Sequence, residues 1–266
     1  MQESRRLIDE AIVDEPVKNT FRLAWEFIIL NRQFTFTAMS LLLLLNILSA
    51  FLGMLAMAIS GIFSMAIQIY VSKLIYGAEN IDDFLKKSKI SKVEMAVGNN
   101  ISSATGAYFG GLTLMLGVLF LLLIWAQSMG FPLEKFETLQ GDNLFLALKQ
   151  LVEMIALPLL LILLGMIYIN PLVQSRIVMA KDFKGGYMAV FSTFSLSLWR
   201  KSFQNGYPQY ILLLMSLIFM AALVLGIFIT MPFINLLASF IFIVVMYGYM
   251  VLISIASMIS KRMIES

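Results

Sequence analysis

The residues able to do chemistry in this chain are few, and the most versatile ones are missing. There is no histidine and no cysteine among the 266 residues. Any catalysis would run without an imidazole or a thiolate, and the common soft metal and haem ligands are absent. Carboxylates such as Glu26, Glu94 and Asp182 are placed where a lipid-modifying reaction at the inner membrane surface could use them. Their spacing gives no convergent pair for general acid–base work. Each is read more simply as a solvated charge or a helix cap. No GxxxxGK[ST] or GxGxxG phosphate loop occurs, and Gly110-Gly111 lies inside an apolar run rather than between a strand and a helix. The residues thus point to no catalytic site, no cofactor and no metal.

A second set of residues has spacing suited to packing. Ser102, Gly106 and Gly110 recur every four residues, and Ser103, Ala107 and Gly111 form a parallel row. Small residues at this interval let two helix backbones approach closely in a membrane. The expected partner is another span of the same chain, with a homodimer seam and a glycine-lined path as the alternatives. Asn99-Asn100 just before this run would cap a helix beginning there. Asn46, Gln68, Thr113, Tyr168 and Tyr247 are the main polar side chains inside apolar segments, and they are expected to bond across to neighbouring helices.

The elements that carry these residues are membrane helices. The chain is 60% hydrophobic and 13% charged, against about 25% charged in soluble domains. From Gln33 to Ser72 there are 40 residues without Lys, Arg, Asp or Glu, and from Ser202 to Ser260 there are 59. About 20 apolar residues cross a ~30 Å hydrocarbon core as a helix, so each stretch reads as a helical hairpin. The fold class is all-α, a polytopic membrane protein with six transmembrane helices at about 34–54, 56–76, 104–126, 152–174, 209–230 and 233–257. The first hairpin turn falls within residues 51–61, where Gly53, Ser60 and Gly61 are the breakers. Met231-Pro232 marks the turn of the last hairpin. Pro158 and Pro171 fall in the fourth span.

Basic residues give the orientation, because Lys and Arg are retained on the cytoplasmic side. Arg5, Arg6, Lys18, Arg22 and Arg32 precede the first span. Lys73, Lys86, Lys87, Lys89 and Lys92 lie between the second and third. Arg176, Lys181, Lys184, Arg200 and Lys201 lie between the fourth and fifth, and Lys261 and Arg262 follow the sixth. Only Lys135 and Lys149 fall on the other side. Both termini are therefore expected in the cytoplasm. Residues 1–33 hold no apolar core of a secretory signal, so no cleavage is expected and the first span serves as the insertion signal.

Two amphipathic helices are expected along the cytoplasmic surface. In residues 16–33, Phe21, Ala24, Trp25 and Ile28 form an apolar stripe, with Lys18, Arg22 and Glu26 on another face. In residues 183–204 the stripe is Tyr187, Val190, Phe191, Phe194 and Leu198, and Trp199, Arg200 and Lys201 place an aromatic ring and two cations at the interface. Trp25 with Arg22, and Trp199 with its two cations, are the expected interfacial anchors. The domain plan is a cytoplasmic tail and interfacial helix over 1–33 and one transmembrane domain over 34–266. Each surface helix leads into a charge-free hairpin, an outline of a parallel repeat, although identity between the halves is poor.

No Asp, Glu, Lys or Arg sits deep in any span, whereas proton-coupled pumps and voltage sensors place ionisable groups there. That argues against proton coupling and charge-selective conduction, and leaves open sodium coupling through carbonyls and hydroxyls or passage of an apolar substrate. The inner-face cations suit anionic lipid headgroups, at about 1 kcal/mol each, rather than nucleic acid. The lead-in segment with Trp25, the hairpin, the basic loop and the span containing Ser-Ala-Thr-Gly-Ala-Tyr-Phe-Gly-Gly (103–111) together resemble poorly characterised bacterial six-span inner-membrane proteins. That group is related to the membrane domain fused to some glycerophosphodiester phosphodiesterases. The resemblance implies a multi-pass protein of the bacterial cytoplasmic membrane with a lipid-proximal role, and it carries over no catalytic residue. The function expected is non-enzymatic: a protein interacting with the lipid bilayer or a membrane-protein partner, in envelope organisation or as a subunit of an assembly. The alternative is a transporter or channel for an apolar or zwitterionic solute.

Overall fold

The computed structural model describes Leu7 and residues 15–131, 142–229 and 235–265. All elements among these residues are helical. Helix α1 (Pro16–Leu30) starts with proline in its first turn, where the missing N–H is no loss. Asn31 ends it and caps α2 (Arg32–Leu52), its side chain accepting from the Phe34 amide at 3.0 Å. Gly53 turns the chain into α3 (Met54–Tyr76) with a φ of +54°, a conformation that disfavours any residue with a Cβ. Gly53 is thus the breaker among the three expected, while Ser60 and Gly61 lie inside α3.

The basic loop that follows contains a helix, α4 (Ile81–Lys89). Asn80 caps it, Asp82 and Asp83 occupy its first turn, and Lys86, Lys87 and Lys89 its last. This charge order opposes the helix dipole favourably at both ends. Helix α5 (Val93–Ser128) begins well before the expected start of the third span. Asn99 and Asn100 therefore lie inside it and cap nothing. Asn100 is buried and donates to the Ala96 carbonyl at 2.8 Å. Helix α6 (Asp142–Met179) runs straight through Pro158 and Pro171. At ~1.5 Å per residue, α5 and α6 are each well over the ~30 Å of a hydrocarbon core and project beyond it.

The segment expected as one surface helix over 183–204 is two. Helix α7 (Phe183–Val190) is followed by a 3-10 turn (Phe191–Phe194) and then α8 (Leu196–Ser202). Ser195 is extended and caps α8, which breaks the stripe that periodicity alone would join. Helix α9 (Tyr207–Ile229) and helix α10 (Asn235–Glu265) complete the chain. The Met231-Pro232 turn signal lies outside the described residues. The single helix α1 and the broken α7–α8 pair do not repeat one architecture.

Among the described residues five helices are long and apolar enough to cross a membrane, and six if Leu196–Ser202 and Tyr207–Leu223, which meet at 83°, count as one span. The centre of the bundle is α10, which touches α1, α2, α3, α6 and α9. Every residue from Met250 to Ser260 is buried. Small hydroxyl residues allow that enclosure: Ser72 of α3 donates to the Ser254 carbonyl at 3.0 Å. At the same end Lys261 lies over the Tyr76 ring, 4.4 Å from its centroid. This lysine-rich end is tightly packed. The first hairpin turn, at the other end of α2 and α3, is apolar, with Phe51 80% and Met54 87% exposed. Lipid removes the cost that water would impose on such a surface.

Helix α1 buries Leu23, Ala24 and Phe27 against the bundle, together with Asn19 and Thr20. The expected stripe of Phe21, Ala24, Trp25 and Ile28 is displaced by one position, because the helix has three faces rather than two. Phe21, Trp25 and Ile29 form an exposed apolar row between the packed face and Arg22.

Candidate functional site: a cavity walled by α3, α5, α6 and α7

The glycine row of α5 meets α7. A methyl group on Gly106 would overlap the Phe183 carbonyl, and one on Gly186 would overlap the Ser103 carbonyl. At Gly110 it would stand 2.8 Å from the Tyr187 carbonyl oxygen. The two backbones thus press together through glycines on both sides. The partner is the short helix read from sequence as lying on the membrane surface, not a span. Ala107 is buried in the same seam, Ser102 is exposed, and a methyl on Gly111 would meet nothing within 4 Å. The packed row is therefore Ser103, Gly106, Ala107 and Gly110.

Docking α7 this way leaves a cavity of about 370 Å³ bounded by α3, α5, α6, the α7 turn and α10. Its walls are mostly apolar, among them Met65, Leu114, Met115, Met166 and Val173. Five polar residues also line it: Tyr108, Asn170, Gln174, Thr193 and Tyr249. Asn170 and Gln174 are four apart on α6 and so share a face. Gln174 is 2% exposed, and its Nε2 is buried with no hydrogen-bond partner among the described residues. The Tyr108 ring packs directly over Gly61 of α3, whose missing side chain makes the room. Thr193 donates its hydroxyl to the Val190 carbonyl at 2.7 Å, and its own carbonyl accepts from Trp199 Nε1 at 2.7 Å. An apolar cavity with a few convergent polar groups is the usual form of a small-molecule site. The side chains available are neutral donors and acceptors, suited to a carbonyl, ester, hydroxyl or phosphate oxygen on an otherwise apolar molecule.

Sequence reasoning missed Asn170 and Gln174. The signal was present, since two amides at i, i+4 interrupt an apolar helix that tolerates polar groups only with partners. Of the polar residues that were singled out, Tyr168 donates to the Ser202 carbonyl at 2.7 Å and Tyr247 bonds Thr35 at 3.3 Å. Thr113 accepts from the Tyr187 hydroxyl at 3.2 Å. Asn46 is exposed and Gln68 partly so, away from these pairs.

The expected anchors divide. Trp25 is 65% exposed beside the exposed Arg22. Trp199 is instead stacked on Tyr168 at 5.9 Å and holds α8 onto α6, while Arg200 and Lys201 remain exposed. The three carboxylates sit on separate elements: Glu26 on α1, Glu94 in the first turn of α5, and Asp182 capping α7 by accepting from the Gly185 amide at 2.7 Å. Among the described residues no group of acids could hold a metal ion.

Comparison of the chain with protein-family models, with curated proteins and with solved structures finds no match in any of the three.

Proposed function

We propose that this chain is a non-enzymatic, six-span protein of the bacterial cytoplasmic membrane that holds a membrane amphiphile inside its helix bundle. The observation that carries the reading is Gln174: a buried amide whose Nε2 has no partner among the described residues, in the wall of an apolar cavity, beside Asn170 on the same helix face. An unpartnered polar group in such surroundings costs roughly 1–3 kcal/mol, which a ligand oxygen would recover. In support of the count, five helices among the described residues are long and apolar enough singly, and α8 with α9, taken as one bent span, would supply the sixth. The distribution of basic residues supports both termini on the cytoplasmic side.

The test is native mass spectrometry on the chain extracted in mild detergent, compared with the double variant Asn170→Leu, Gln174→Leu. The parent should retain a bound amphiphile and the variant should lose it. Thermal unfolding of the variant should be unchanged or raised, because Leu removes an unsatisfied buried amide. Equal retention of the same species by both proteins would end the proposal.

A second reading is passage of an apolar or zwitterionic solute through the same cavity. What favours it is that Val190 and Thr193, at the junction of α7 and its 3-10 turn, form part of the wall, so a shift of this short segment would open it. Flux of the retained species across liposomes containing the protein separates carriage from holding.

A further inference from the structure

Helix α3 ends its charge-free run at Lys73, 19 residues after Met54, or about 28 Å along the helix from the hairpin turn. That rise matches one hydrocarbon thickness, which sets the Lys73 ammonium at headgroup depth when the hairpin turn lies at the opposite face of the bilayer. It lines a pocket of about 270 Å³ between the lysine-rich ends of α3, α4 and α5, together with Tyr70, Gly77, Lys87, Asn99 and Asn100. No acidic residue lines it.

The two ammonium groups are held differently. Lys87 donates to the Gly77 carbonyl at 2.8 Å and to Asp83 at 2.7 Å, so its charge is matched. That contact, with the Glu79 amide at 3.1 Å, holds the Asp83 carboxyl below its ordinary range. Lys73 has no carboxylate partner among the described residues. Its one hydrogen bond is to Asn100 Oδ1 at 2.7 Å. Asn100 is 2% exposed and fixed in turn by its bond to Ala96, so it aims the lysine rather than neutralising it. An ammonium has three donors, and in Lys73, which is exposed, two of these have no protein partner among the described residues. Asn99, exposed on the rim, adds an amide.

We infer that this pocket binds the phosphate group of an anionic phospholipid, with Lys73 as the charged contact, Asn100 as its positioning residue, and Lys87 and Asn99 at the rim. The pocket stands apart from the α5–α6 cavity, and neither reading requires the other. Phosphate oxygens would accept the donors that Lys73 leaves free, and a charge-assisted bond there is stronger than a neutral one.

The full chain in detergent, titrated with phosphatidylglycerol and followed by native mass spectrometry, tests this. Lys73→Gln keeps a donor toward Asn100 but removes the charge, and it should weaken binding about tenfold. Lys73→Arg should restore most of it, and Lys86→Gln, outside the pocket, should leave it unchanged. Phosphatidylcholine should compete poorly. Binding by Lys73→Gln within twofold of the parent, with unchanged helical content, would overturn the proposal. Displacement of the lipid by millimolar inorganic phosphate would assign the site to a free anion and overturn the lipid as its source. Resistance to that displacement supports the lipid.

Discussion

Asn31 does three things with one side chain. It caps α2 through Phe34, and its Nδ2 donates to the carbonyls of Ser88 and, at 3.2 Å, of Ser91. It is buried, so those carbonyls have no water to turn to. Asn31→Ala removes a cap and strands two acceptors, and it should cost about 2–4 kcal/mol in chemical unfolding. Asn31→Asp preserves the capping oxygen but turns the donor into an acceptor facing two carbonyls in a buried site. It should still lose most of that stability, and an Asp variant as stable as the parent would show that the bonds to α4 matter little. None of this was legible in sequence. Asn31 sits between an amphipathic segment and a charge-free one, and the partners that make it important lie nearly 60 residues away in the chain.

Among the helices, length and hydrophobic patterning were read well where the only competitor was water. The charge-free runs and Gly53 gave α2, α3 and α9 to within a few residues. Reading failed where packing decided. The glycine spacing of α5 announced a close backbone approach, but not that its partner would be an eight-residue helix from a segment patterned like a surface helix. Gly185-Gly186 was the missed cue, because a helix meant only to float at an interface gains nothing from glycines in its middle. Gly106→Ala and Gly186→Ala should each destabilise the protein by about 1–3 kcal/mol through overpacking, as measured by thermal unfolding in detergent. Gly111→Ala meets open space and should stay within about 0.5 kcal/mol of the parent. Equal effects at Gly106 and Gly111 would mean the seam between α5 and α7 is not a tight one.

The assembled bundle is dense at its lysine-rich end and exposes apolar side chains at the first hairpin turn, and this polarity makes the charge distribution more than a sorting signal. Lys73, Lys87 and Lys261 all engage named groups at the dense end. With that end cytoplasmic, reporters fused at residue 1 and after residue 266 should both read as cytoplasmic, and one inserted between residues 136 and 140 should read as external. Opposite locations for the two terminal reporters would overturn the orientation. The cavity beside Gln174 could be seen only at this level, since its walls come from helices distant in sequence that no local pattern connects.

One consequence concerns biogenesis. The hub of the bundle, α10, is translated after every element that surrounds it. Until it arrives, α1, α3 and α6 share a vacant slot in which Ser72 lacks its Ser254 acceptor. The seam between α5 and α7 needs no part of α10 and can close earlier, whereas the slot shared by α1, α3 and α6 stays open until α10 enters the bilayer, and in that interval a holding factor or a quality-control protease would find it exposed.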